Sequence, residues 1–192
     1  MSVVDLLSED LTFVEAAIAG APGKVRMSML NVDEARGIRS VLVAFPDGWR
    51  REATGTQPAG EELVVVRGAL TLSGNEAAPG RFLHVTPRAL RSNTFTAVGT
   101  RAVVWFTGAG GGWVEGDELV AGTVTLTEVG DGFVREPVEG LHGRVEFDAF
   151  VSGKVFDTDV EVVWFESASY AKVAAGQTVP PVAGPALVRV LD

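Results

Sequence analysis

Beyond residue 23 the chain alternates apolar and polar positions in short runs that stop at glycine, proline or asparagine, the pattern of strands joined by tight turns. These runs predict strands over 24–31, 37–45, 49–54, 62–73, 80–86, 92–98 and 101–107, separated by Pro46-Asp47-Gly48, Gly74-Asn75, Pro79-Gly80 and Val98-Gly99. So many strands within about 85 residues suit an all-β jelly-roll barrel, whose two sheets fold over one another and leave a mouth for ligands. The run Gly108 to Gly112, four glycines around one alanine, reads as a hinge or surface loop. Strands resume over 121–128, 144–151, 155–157 and 160–170, and the proline-bearing tail 179–185 reads as extended over the surface.

The one helical signal lies in the first 20 residues. Thr12-Phe13-Val14-Glu15 has the spacing of a capping box, in which the threonine hydroxyl and the glutamate carboxylate each satisfy a free backbone N–H at a helix start. Val14, Ala17 and Ile18 then share a face, and Gly20-Ala21-Pro22-Gly23 ends the element. Upstream, Val3, Val4, Leu6 and Leu7 form a short apolar patch suited to packing. The expected organisation is a helical arm over 1–22, a barrel over 23–110, and a C-terminal β segment over 113–192 that packs on or completes the barrel. A weak internal echo bears on that last segment: Val103-Val104-Trp105-Phe106 recurs as Val162-Val163-Trp164-Phe165, and Ala69-Leu70-Thr71-Leu72 as Thr123-Val124-Thr125-Leu126. A shortened second copy of the barrel half and a single barrel with added strands both accommodate it.

Composition narrows the function classes. Hydrophobic content of 46% is ample for a packed core. The net charge of −9 and the lack of any basic cluster longer than Arg50-Arg51 argue against a nucleic-acid partner. Without cysteine there is no disulfide, thiolate metal site or cysteine nucleophile. No signal-peptide pattern or long apolar stretch appears, so a soluble cytoplasmic protein with no membrane partner is expected. There is no Gly-x-Ser-x-Gly elbow and no phosphate-binding Gly-x-x-x-x-Gly-Lys, which argues against serine-hydrolase and nucleotide-dependent chemistry.

One region carries a family resemblance. The run Pro58-Ala59-Gly60-Glu61-Glu62-Leu63 leading to Gly68, followed by Gly80-Arg81-Phe82-Leu83-His84-Val85-Thr86-Pro87, resembles the two motifs of the cupins in order. The first motif runs from a glycine through His-x-His and a glutamate to a second glycine. Glu61 and Gly68 keep its last spacing, which puts Gly55 and Gln57 at the histidine positions. The second motif runs from a glycine through Pro-x-Gly to a histidine. Gly80 to Ser92 matches it with one extra residue before Pro87, Ala89 standing for the glycine and Ser92 for the histidine. Ala59-Gly60-Glu61-Glu62-Leu63 with Val103-Val104-Trp105-Phe106-Thr107-Gly108 is most similar to cupins related to the anti-sigma factor ChrR. The resemblance implies a cupin barrel over roughly 37–108, and by family habit a homodimer.

It also implies a site without its usual metal ligands. Cupin metals sit on three imidazoles and a carboxylate. Here Gln57 offers a carbonyl oxygen, Glu61 a carboxylate, Ser92 a hydroxyl and Gly55 nothing, a set that suits at most a loosely held hydrated divalent ion. No cofactor is therefore expected. Of the two histidines, His84 lies near the second motif, where an imidazole can act as acid or base, and His142 sits in a Gly140-Leu141-His142-Gly143 turn. If Glu61 points inward, Leu63, Val65 and Arg67 share its face. On the strand 49–54, Trp49 and Arg51 face one side, and Arg50 and Glu52 the other.

These residues frame the functional expectation. The barrel binds a small, largely apolar organic molecule through Arg51, Trp49, Leu63, Val65 and Ser92. With Glu61, Gln57 and His84 as polar groups it promotes a metal-independent isomerisation, cyclisation or proton transfer. Two alternatives stand beside it: a non-catalytic binding, sensing or assembly module, and a metal enzyme with non-standard ligands.

Overall fold

The computed structural model describes residues 2–118 and 122–191, and these contain strands, bridges and turns but no helix. None of them forms a helix long and apolar enough to cross a membrane. The strands in chain order are β1 Val4–Asp5, β2 Val14–Ala17, β3 Lys24–Asp33, β4 Ile38–Ala44, β5 Arg50–Arg51, β6 Gly55–Thr56, β7 Gly60–Arg67, β8 Leu70–Leu72, β9 Asn75–Ala77 and β10 Arg81–Val85. They continue as β11 Thr94–Thr96, β12 Arg101–Thr107, β13 Val114–Glu115, β14 Val124–Glu128, β15 Val134–Arg135, β16 Arg144–Asp148, β17 Asp159–Trp164, β18 Ser169–Val173 and β19 Ala186–Leu191. They fall into two compact units: a barrel unit of residues 10–127 with 139–141, and a second unit of residues 2–9, 128–138 and 142–191.

In the barrel unit a seven-stranded sheet runs β14-β10-β7-β12-β4-β3-β2, and a second sheet runs β5-β11-β8-β9. The pairings are antiparallel, and their register writes the core. Leu63 on β7 faces both Leu83 on β10 and Val104 on β12, while Val65 faces Ala102, and Ala102 faces Val43 on β4. Because opposed residues point to the same side of a sheet, these side chains form one apolar surface. Leu70 and Leu72 of the second sheet and Phe45 and Trp49 join the same buried cluster. Fully burying a side chain of this size contributes about 1.5–3 kcal/mol.

The expected N-terminal helix is a strand. Val14–Ala17 pairs antiparallel with β3, Ala16 opposite Val25 and Ala17 opposite Lys24. Glu15, placed by the sequence pattern as a helix-capping carboxylate, reaches across this hairpin to Lys24 at 3.0 Å. The residues that pack on the core are Ala16 and Ile18, a period of two. So short a helix is marginal on its own, and the backbone bonds of the sheet edge outweigh it.

The second unit is built on one six-stranded antiparallel sheet, β1-β18-β17-β19-β16-β15. The predicted continuous strand 160–170 is here a hairpin: the chain turns after Trp164, with Ala168 in the left-handed region at φ 46°, and returns as β18. Val160, Val162 and Trp164 lie buried on one face. Among the buried residues, Tyr170 Oη–H donates to Glu161 Oε1 at 2.7 Å and Arg189 Nη1–H donates to Glu161 Oε2 at 3.3 Å. Of the two echoed pairs, Val103–Phe106 lies on β12 between β7 and β4 and Val162–Trp164 on β17 between β18 and β19, with both tryptophans fully buried; in the other pair β8 is interior to the four-stranded sheet while β14 edges the seven-stranded one.

Candidate functional site

The inner face of the barrel sheets does not meet everywhere, and a cavity remains between them. The space open to the centres of water-sized spheres is about 80 Å3, several times the roughly 10–15 Å3 that one water needs. Its wall is mainly apolar, from Ile18, Met27, Val43, Phe45, Leu63, Leu70, Leu72, Val104 and Phe106. Trp49, Arg51, Gln57, Glu61 and Thr94 supply the polar and amphipathic groups.

Local geometry explains each of these. Glu61 stands at the start of β7, opposite Phe106 and Val85, so its side chain shares the inner face with Leu63. Its Oε2 accepts hydrogen bonds from Gln57 Nε2 at 3.3 Å and Arg91 Nε at 3.4 Å. Arg91 is fully buried and is held further by donations from Nη1 to the Ala89 carbonyl at 3.0 Å and from Nη2 to the Ala59 carbonyl at 3.4 Å. The backbone of Arg91 bridges Gly55, with N–H to carbonyl bonds in both directions at 3.0 and 2.8 Å. Arg51 is likewise buried, donates from Nη2 to Thr94 Oγ1 at 3.1 Å, and lies with its guanidinium carbon 4.5 Å from the centre of the Trp113 ring.

Two guanidiniums thus converge on one carboxylate. Burial pulls the pKa of each arginine below its ordinary value, and the negative charge of Glu61 opposes that pull; Arg91 adds a further downward push on Arg51. Arginine nevertheless stays protonated, so the site carries a surplus positive charge.

No family model and no curated protein matches the sequence. Solved structures do. The chain is similar to a proposed dioxygenase from Nostoc punctiforme, with a TM-score of 0.73 and 12% identity over 98% of this chain and 81% of that one. It is also similar to protein Ylba from E. coli, with a TM-score of 0.51 and 11% identity over 98% of this chain and 85% of that one. The fold is cupin-like. At such identity the likeness concerns architecture, and it does not single out the ChrR-related branch.

The positions that correspond to the metal ligands of the cupin motifs differ in what they hold. Gly55 has no room for a side chain: a Cβ there would lie 2.6 Å from the Trp113 indole and 2.4 Å from the Val114 carbonyl oxygen. Gln57 and Glu61 meet, as the first motif requires. Ser92, expected to line the barrel, does not line the cavity; its backbone is tied to Ser73, its N–H donating to Ser73 Oγ at 3.0 Å while Ser73 N–H donates to the Ser92 carbonyl at 2.8 Å. Its neighbour Arg91 is the residue that reaches Glu61. A cation already sits on the carboxylate, no imidazole joins it, and the described residues contain no cluster of three or more histidine, aspartate or glutamate side chains. The donor set does not fit a cupin metal, which would meet repulsion from the guanidiniums and too few ligands.

His84, expected beside Glu61, lies on the other face. It is opposite Glu62 on β7, one residue out of step with Glu61, and period-two alternation sends it away from the cavity. His142 is exposed and belongs to the second unit. Val65 belongs to the packed core next to the cavity and does not line it, and Arg67 is exposed. Trp49 and Arg51 line the cavity while Arg50 and Glu52 pair outside it at 3.5 Å, as strand parity predicts. Sequence reasoning missed Arg91, Thr94 and Trp113. The one-residue excess in the second motif was the available signal for Arg91.

Proposed function

We propose that the barrel binds a small, largely apolar organic molecule in its cavity and moves a proton on it without a metal. The observation that carries this reading is the placement of one carboxylate, Glu61, in an otherwise apolar cavity with its Oε2 fixed by Gln57 and Arg91. Among the described residues the hydrogen bonds to Glu61 all fall on Oε2. A carboxylate so held is oriented before the ligand arrives, which is what general-base chemistry requires. Glu61 would take a proton from an activated C–H and return it at another atom of the same ligand. Such an isomerisation is redox-neutral and needs no cofactor. A ligand filling the apolar cavity would displace water from Glu61, so that the proton is returned to the ligand and not lost to solvent.

The test is a small-molecule binding screen on the wild-type protein and Glu61→Gln, with each hit incubated in D2O and followed by NMR. The expected result is deuterium incorporation by wild type that falls at least about a hundredfold in Glu61→Gln, within the usual range for removing a general base. Saturable binding without any exchange would instead identify a binding or sensing module.

A further inference from the structure

The charge left over in the cavity indicates what the ligand must carry. Arg51 is 5% exposed and is held on two sides, by Thr94 Oγ1 and by the Trp113 ring. Neither is an anion. Among the described residues Arg51 makes no ion pair, and its Nε–H is buried without an acceptor. The nearby carboxylate cannot serve both arginines equally, because Glu61 Oε2 is engaged by Arg91 and Gln57. A buried guanidinium without an anionic partner is costly, and a planar fork with an unused donor matches a carboxylate. The remaining wall, including Val43, Phe45, Leu72 and Phe106, is apolar.

We infer that Arg51 is an anion-holding residue and that the ligand is a small monocarboxylate with an apolar body, about five to eight non-hydrogen atoms in all by comparison with the space a water takes. One carboxylate is specified because the surplus is a single positive charge. A phosphate dianion would call for a second unengaged cation, and Arg91 is already spent on Glu61. The inference rests on the reading that the cavity takes a ligand.

The experiment titrates wild type with 3-methylbutanoate, cyclopentanecarboxylate, their neutral amides, chloride and inorganic phosphate, following tryptophan fluorescence and calorimetry. An acid should bind at least about tenfold more tightly than its amide, the worth of one charge-assisted hydrogen bond. Arg51→Gln should abolish that preference and Arg51→Lys retain part of it, circular dichroism reporting that each variant is folded. Equal binding of acid and amide to wild type overturns the inference, as does tighter binding of phosphate or chloride, or no saturation by any acid up to about 10 mM. The comparison of acid with amide needs no variant, so misfolding of Arg51→Gln leaves the test intact. Val43→Phe, which fills the cavity, separates the two levels. If acid and amide bind wild type equally and both are lost in Val43→Phe, the cavity reading stands and the carboxylate inference fails. If acid-selective binding survives Val43→Phe, the ligand is outside the cavity and the cavity reading fails with the inference.

Discussion

Removing the charge of Glu61 while keeping its shape should destabilise the barrel unit, and the size of the effect follows from what surrounds Arg91. That guanidinium is fully buried, and two of its three described hydrogen bonds go to neutral carbonyls, of Ala89 and Ala59. Glu61→Gln leaves an acceptor in place but withdraws the negative charge that acts on both arginines, so Arg91 and Arg51 remain as two desolvated cations. Breaking a buried pair in this way costs about 3–5 kcal/mol when both partners are fully enclosed. Here the contact is a single 3.4 Å approach and the Glu61 side chain keeps 16% of its exposure, so about 2–3 kcal/mol is expected. Arg91→Met removes the cation and should cost less, because Glu61 keeps Gln57 and gains the undivided attraction of Arg51. A double-mutant cycle should then return a coupling of about 1–2 kcal/mol. The assay is urea unfolding followed by fluorescence in a Trp164→Phe background, where Trp49, Trp105 and Trp113 all report on the barrel unit. A Glu61→Gln variant as stable as its parent, or a coupling within about 0.5 kcal/mol of zero, would refute the claim that this ion pair neutralises the site.

Two further predictions follow from the donor set and from the second unit. Elemental analysis of the purified protein should find no transition metal in stoichiometric amount; one bound metal per chain would contradict the reading of Arg91 as the cation on Glu61. Tyr170 is the one tyrosine in the sequence, and burial first, with Glu161 next, pushes its phenol far above the ordinary value of 10.0. The native protein should show no tyrosinate absorbance at pH 11. The unfolded chain takes up fewer protons there than the native one, so stability should hold below about pH 10 and fall by about 1.4 kcal/mol per unit above it; a native phenol titrating near 10 would refute this.

Where one side of a strand is covered and the other is wet, the alternation of residues records it. That is why Trp49 and Arg51 could be separated from Arg50 and Glu52, and why Glu61 and Leu63 could be placed on one face, from the chain alone. The N-terminal segment failed for the complementary reason. Its capping-box signal is local, whereas the partner that decides its conformation, Lys24 to Met27, arrives only after the turn. His84 failed by a single step of register, since its face depends on which β7 residue it opposes. Trp113 follows a glycine run, and no periodicity says where such a loop comes down.

Arg91 is the most instructive miss, because comparison with the cupin motifs seeks a replacement for each lost nitrogen ligand and finds only Gly55, Gln57 and Ser92. A metal, though, does two things for its carboxylate: it supplies coordination geometry and it supplies positive charge. In this barrel the geometry has gone and the charge has been kept, carried by a guanidinium one residue before the motif position and thirty residues from Glu61. Once Arg91 fills that role, the retention of Glu61 no longer argues for a metal. Arg51 makes no ion pair among the described residues and shares the charge of Glu61 with Arg91, so one positive charge is left over for the proposed ligand to balance.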